Sequence, residues 1–274
     1  MKKILVPVDF TPASRAASEY AASLAQMVTA QLHLLHVYME PTPATEVPSA
    51  WMITGSNWQE EVENQITKEV EYLKSTYAIT ITGEAILGYV GDTIKEVAAS
   101  TEAVLVVMGM KKEKTSTIFG SSTQVAIRKS PVPILIVPEG AGFKPFRQIV
   151  FASDFEEVTN TSSFNLLIEL IEKFQSELCL LHVRKEGEDI SPSEVPGRIQ
   201  MGRILANIQN CRYEEVIENE VDKGIQNFVD GHPTDLLVMI SRPHNIFQRL
   251  FGTVHTRSIS YTTECPLLVL KDYD

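Results

Sequence analysis

The 274-residue sequence is most informative at first through what it has little of. Cysteine is scarce: Cys179, Cys211 and Cys265 are odd in number, far apart and without a CxxC pair. That excludes a disulfide framework or a cysteine-rich metal knuckle and fits a reducing, cytoplasmic setting. Positive charge is also short, with 24 Lys and Arg against 35 Asp and Glu and a formal net charge of −11. A nucleic-acid partner needs a basic face and anionic lipid needs a basic patch, so both are excluded as expected partners. A small anionic ligand needs only a local positive site and stays open. No apolar run approaches the roughly 20 residues that span a bilayer. Met1-Lys2-Lys3 followed by Ile4 to Val8 has the outline of a leader, but Asp9 ends the apolar part too early, and it reads as a first buried strand. There is no GxxxxGK[ST] loop and no GxGxxG after a first strand, which removes the two commonest phosphate-binding signatures. His232, His244 and His255 have no HxxxH spacing, so no metal site is assigned. No Ser–His–Asp set can be assembled, so no catalytic residue is assigned either.

What is present is a duplication. Ile4-Leu-Val-Pro-Val-Asp9-Phe10 has a partner in Ile149-Val-Phe-Ala-Ser-Asp154-Phe155, and Leu32-His-Leu-Leu-His-Val37 has one in Leu178-Cys-Leu-Leu-His-Val183. Later, Val104–Met108 matches Leu236–Met239, Phe119-Gly120-Ser121 matches Phe251-Gly252-Thr253, and Pro133–Val137 matches Pro266–Leu270. The offset is 145 to 146 in the early matches and about 132 in the later ones, so the second copy has a shorter middle. The division expected is a first domain over 1–139, a Gly/Pro-rich linker over 140–147 and a second domain over 148–274.

Each copy alternates strand and helix. Short, continuous apolar runs such as Ile4–Val8, Leu32–Val37, Val104–Met108 and Ile134–Val137 suit strands covered on both faces. Glu84–Leu87 adds a further strand. Thr11-Pro-Ala-Ser opens a helix, Trp58–Tyr77 forms a long amphipathic one with Val62, Ile66, Val70 and Leu73 on its apolar face, and shorter helices follow at Thr93–Ala99 and Ser122–Lys129. The pattern implies an α/β fold with a parallel sheet wrapped by helices. In such sheets ligands sit beyond the carboxyl ends of the strands, which directs attention to Asp9, Val37, Gly88 and Gly109.

One stretch there suits phosphate: Met108-Gly109-Met-Lys-Lys112, then Gly120-Ser121-Ser122-Thr123 opening a helix. Glycine permits close backbone approach, a helix N-terminus offers free N–H groups, and Ser121 and Ser122 add hydroxyls. Lys111, Lys112 and Lys114 supply local positive charge within an acidic chain. Read blandly, Gly109 is a turn, Gly-Ser-Ser an N-cap and the lysines a solvated loop. His36 and His182, matched in the two copies, read as satisfied strand-end histidines rather than catalysts.

The combination of Ile-Leu-Val-Pro-Val-Asp9, Leu-Leu-His-Val37, Met-Gly109…Gly120-Ser121 and a final Pro-Val-Pro-Ile-Leu-Ile-Val strand resembles the universal stress protein family, and the resemblance runs through the chain twice. It implies two tandem Rossmann-like domains of the adenine nucleotide alpha hydrolase-like type, each a five-stranded parallel sheet with helices on both faces. It also implies binding of ATP or AMP, with or without Mg2+, at Pro7, Val8, Asp9, Val37, Met108, Gly109, Lys112, Gly120, Ser121 and Ser122, and a role in stress response. The family's Gly-x2-Gly-x9-Gly-(Ser/Thr) loop is altered here: Lys112 stands at the second glycine, and seven residues precede Gly120. Domains of this family pair through their last strands, so Ile134–Val137 and Leu267–Leu270 are expected to join in an intramolecular pseudo-dimer, with a homodimer of chains beyond it. In the second copy Ser241 falls at the first glycine and His244 at the second, while Arg242, His244, Arg249, His255 and Arg257 make the region basic, open to another anion or an interface. The reading is regulatory nucleotide binding by the first copy, with at most slow ATP hydrolysis. The alternatives are a weak ATPase or phosphotransferase, and a nucleotide-independent dimerisation scaffold.

Overall fold

The computed structural model describes residues 2–39, 58–111, 121–187, 191–242 and 265–272. The first half contains β1 (Lys3–Pro7), α1 (Pro12–Val28), β2 (Gln31–Tyr38), α2 (Trp58–Thr76), β3 (Ile81–Leu87), α3 (Val90–Ser100), β4 (Ala103–Met110), α4 (Ser121–Lys129) and β5 (Ile134–Pro138). The second contains β6 (Gln148–Ala152), α5 (Ser163–Phe174), β7 (Glu177–Arg184), α6 (Glu194–Ile204), β8 (Cys211–Ile217), α7 (Val221–Gly231), β9 (Leu236–Ser241) and β10 (Leu267–Lys271). Local chemistry sets the ends. Thr11 caps α1 by accepting the Ser14 amide on its side chain, Pro12 occupies the first turn, and Thr29 closes the helix in the left-handed region.

All ten strands join one sheet in the order β3-β2-β1-β4-β5-β10-β9-β6-β7-β8. Among the described strands, neighbours within each half are parallel and only β5 and β10 run antiparallel. Leu135 pairs with Leu268, its own counterpart, flanked by Ile134 with Val269 and Ile136 with Leu267. The two halves therefore meet as an isologous dimer meets, about a local twofold axis through that pair, within one chain.

Alternation across the sheet divides the core into two layers. Ile4, Val6, Leu135, Val137, Leu268 and Leu270 face one side, against α1, α2, α5 and α6. Leu5, Ile134, Ile136, Leu267 and Val269 face the other, against α3, α4 and α7. The segment expected as a plain linker belongs to the first layer. Phe146 is fully buried, with its ring 5.3 Å from Phe174 of α5. Phe143 lies 5.1 Å from Tyr20 of α1 and 6.3 Å from Phe174. Its aromatic rings thus tie a helix of each half together.

The last residue of β10 also crosses the seam. Lys271 is 3% exposed and donates from Nζ to the Ile127 carbonyl in the last turn of α4. Burial pulls its pKa down to about 7. An unfolded lysine keeps its proton well above that, so between pH 7 and the ordinary lysine range the unfolded chain binds more protons, and stability rises with pH. Denaturant titrations across this window should show the rise for the wild type and lose that component in Lys271→Met.

Candidate functional site

The first half has a cleft of about 480 Å³ at the carboxyl ends of its strands. It lies where the connections diverge, β1 leading to β2 on one side while β4 lies on the other, the position at which open α/β sheets admit ligands. Pro7 at the end of β1, with Val8 and Asp9 after it, forms its floor, and Leu35 and Val37 come from β2. Met108, Gly109 and Met110 come from β4, with Lys111 just beyond it and Glu139 beyond β5. Helix starts complete it: Thr11 to Ser14 of α1, Val90 of α3, and Ser122 and Thr123 of α4.

Of the residues singled out by sequence, the cleft brings together Pro7, Val8, Asp9, Val37, Met108, Gly109, Lys111, Ser122 and Thr123. Ser121 is the first residue of α4. Lys112 and Gly120 lie outside the described residues, as do Lys114, His244, Arg249, Gly252, Thr253, His255 and Arg257. Thr11, Ser14, Leu35, Val90 and Glu139 were not anticipated. Their contribution depends on which helix starts converge on β1, and no local pattern carries that.

Asp9 is held in a tight turn. Its Oδ1 accepts the Thr11 hydroxyl at 2.6 Å and the Thr11 amide at 3.1 Å. Partial enclosure pushes its carboxyl pKa up, but the hydrogen bonds from Thr11 and Ser14 prevail, and it sits below the ordinary aspartate value. It is an anion at neutral pH. The next residue, Phe10, has φ 61°, an unusual conformation for a bulky side chain. His36 stabilises the turn: its ring packs against Phe10 in a tilted pair with centroids 4.5 Å apart, and its Nδ1 lies 2.7 Å from the Val8 carbonyl. A carbonyl only accepts, so Nδ1 carries the proton. The second copy repeats the device, with Phe155 at φ 55°, its ring 5.1 Å from His182, and His182 Nδ1 2.9 Å from the Ser153 carbonyl. The matched histidines are thus turn locks. The sequence showed their pairing but not their acceptors.

Gly109 is not a strand-end turn. It lies within β4, paired with Val137, and a Cβ on it would fall 2.2 Å from the Ala13 carbonyl oxygen. What approaches so closely is the first turn of α1. The second half departs here, and its register corrects the alignment. Ile149 pairs with Leu236 as Ile4 pairs with Leu105, which sets Ile240, not Ser241, at the Gly109 position and Arg242 at the Lys111 position. The side chain is accommodated because α1 begins three residues after Asp9, whereas α5 begins nine residues after Asp154. With no helix turn overhead, Ile240 packs into the core.

Arg242 is not a free basic group either. It is 6% exposed and donates to Asp272 at 2.6 Å, to Asp154 at 2.8 Å and to the Glu156 carbonyl at 2.9 Å.

A profile of the Universal stress protein family matches residues 1–138. The chain belongs to the universal stress protein family. A universal stress protein of Methanocaldococcus jannaschii is 26% identical over 140 residues, covering 50% of this chain and 81% of that protein. One of Mycobacterium tuberculosis is 26% identical over 156 residues, and the match spans 48% of its length. A universal stress protein crystal structure from Archaeoglobus fulgidus matches the whole fold, with a TM-score of 0.67 at 20% identity over 99% of this chain and 98% of that one. This universal stress protein is thus a tandem α/β fold, with the sequence profile on the first half and the shared architecture on both. Among its described residues no helix is long and apolar enough to cross a membrane.

Proposed function

We propose that the first half binds an adenine nucleotide, ATP or AMP, and that the protein acts as a nucleotide-responsive regulator in stress response. The observation that carries this reading is the convergence of two helix N-termini, those of α1 and α4, on one cleft floored by an anionic Asp9. The positive ends of the two helix dipoles suit phosphate oxygens. Lys111 at the same rim adds positive charge. Asp9 is suited to accept hydrogen bonds from ribose hydroxyls or an exocyclic amine, and apolar Val8, Val37 and Val90 suit the base. Lys112, Gly120 and Ser121 belong to the same proposed phosphate loop. Turnover is proposed to be slow at most, because the reading assigns no general base.

Calorimetric titration with ATP and with AMP, each with and without Mg2+, tests the reading. We expect saturable binding to the wild type and a loss of at least about tenfold in affinity for Val37→Trp, whose indole would fill the cleft from β2. No binding at millimolar nucleotide would overturn the reading in favour of a nucleotide-independent scaffold. Rapid phosphate release from the wild type would move it to the ATPase alternative. A homodimer of chains is a separate proposal. It must use a surface other than β5 and β10, whose edges are paired with each other.

A further inference from the structure

In the second half the residues at the matching positions form a closed polar cluster. We infer that Asp154, Asp272 and the Glu156 carbonyl make a socket for a guanidinium group, and that Arg242 is its tethered occupant, closing the second cleft from within. The correspondence is positional. Asp154 follows β6 as Asp9 follows β1, Asp272 follows β10 as Glu139 follows β5, and Arg242 follows β9 as Lys111 follows β4. In the first half these three positions line an open cleft, with Lys111 exposed at its rim. In the second half the cation is turned inward, and its side chain is 7% exposed.

The contacts use the planar fork of arginine. Nε donates to Asp272 Oδ2, Nη1 donates to Asp154 Oδ1 at 2.8 Å and to Glu156 Oε2 at 3.4 Å, and Nη2 donates to the Glu156 backbone oxygen. A lysine has one point of charge and could not satisfy three acceptors set around a plane. Asp272 is a relay as well as an acceptor. Its other oxygen accepts the Thr159 amide at 2.6 Å and the Asn160 amide at 2.8 Å. The irregular segment between Asp154 and α5 is thereby held to the end of β10. From the other side Gln200 of α6 grips Val158 through both its amide and its carbonyl. That segment replaces the first turns of α1, so the second half has lost a helix N-terminus that would face phosphate and gained an internal cation paired with acids. It is a ligand-independent copy, held ready-closed.

The inference rests on the contacts of the second half and their positional match to the first, and does not need the first half to bind nucleotide. Its test is Arg242→Ala with chemical rescue. We expect a fall of several degrees in Tm, and exchange of the Thr159 and Asn160 amides faster by about tenfold or more, because removing one partner exposes an unpaired buried charge. Millimolar methylguanidinium should restore much of the lost Tm and protection in Arg242→Ala, with no such effect of equal sodium chloride or of methylguanidinium on the wild type. A variant with unchanged Tm and exchange would overturn the claim that Arg242 closes the cleft. Destabilisation without rescue would show that the arginine acts through its aliphatic stem and would overturn the socket. Equilibrium dialysis of the wild type giving two nucleotides per chain would overturn the closure. Zero per chain would overturn the proposed nucleotide function, while the rescue result would still decide this one.

Discussion

Gly109→Ala is expected to destabilise the protein by about 3 kcal/mol, at the upper end of the usual cost of overpacking. The added methyl would fall 2.2 Å from the Ala13 carbonyl oxygen and 2.5 Å from its carbon. Both are backbone atoms in the first turn of α1, so no side chain can rotate away. Either α1 lifts from β4 or the strand shifts against β5, and each move opens the layer that Val107 and Val137 share with α1. Urea denaturation should show a lower midpoint with an unchanged slope. A midpoint equal to that of the wild type would show that the helix turn yields freely. The cost falls on the fold, so loss of nucleotide binding in a Gly109 variant would say nothing about contact with a ligand. Val37→Trp is the cleaner probe of the cleft. Ile240 at the matching position shows that the fold tolerates a side chain once the overlying helix turn is absent.

Phe146→Ala is expected to cost about 3–5 kcal/mol, the range for truncating a fully buried phenylalanine. The ring touches the aromatic cluster joining Tyr20 of α1 to Phe174 of α5 through Phe143. Its loss leaves a cavity at the seam between the halves. Because one apolar layer runs across both halves, the two should melt together in the wild type, and the variant should lower that transition as a whole. Calorimetry checks this. A transition that stays put, or one that splits with only the second half affected, would show that the segment is a simple tether.

Much of the architecture was legible along the chain. Buried parallel strands must be apolar on both faces, so runs such as Leu-Leu-His-Val mark themselves, and a repeated run marks a repeated unit. Thr11-Pro12 announced a helix start because its capping chemistry is local. The Asp-Phe pair after the first strand was visible in both copies as a repeat, while the turn it makes was not. Features decided by approach between distant segments were not. Aligning the matched segments sets Ser241 opposite Gly109, whereas strand pairing puts Ile240 there. The sequence cannot show that α5 starts late enough to make room.

The sequence by itself determined the family, the duplication, the strand–helix alternation and the neighbourhood of the first cleft. The family showed in its motifs, the duplication in its matched runs, and the rest in short-range periodicity, where a residue's own hydrophobicity or turn preference is decisive. Tertiary structure decided the rest: Glu139 and Val90 joining Asp9 around the cleft, Phe146 serving as core, and Arg242 folded onto Asp154 and Asp272 rather than displayed as a basic patch. The reason is physical. A charged side chain has the same identity whether it faces water or a ring of acceptors, and only the packing of segments far apart in the chain settles which it meets.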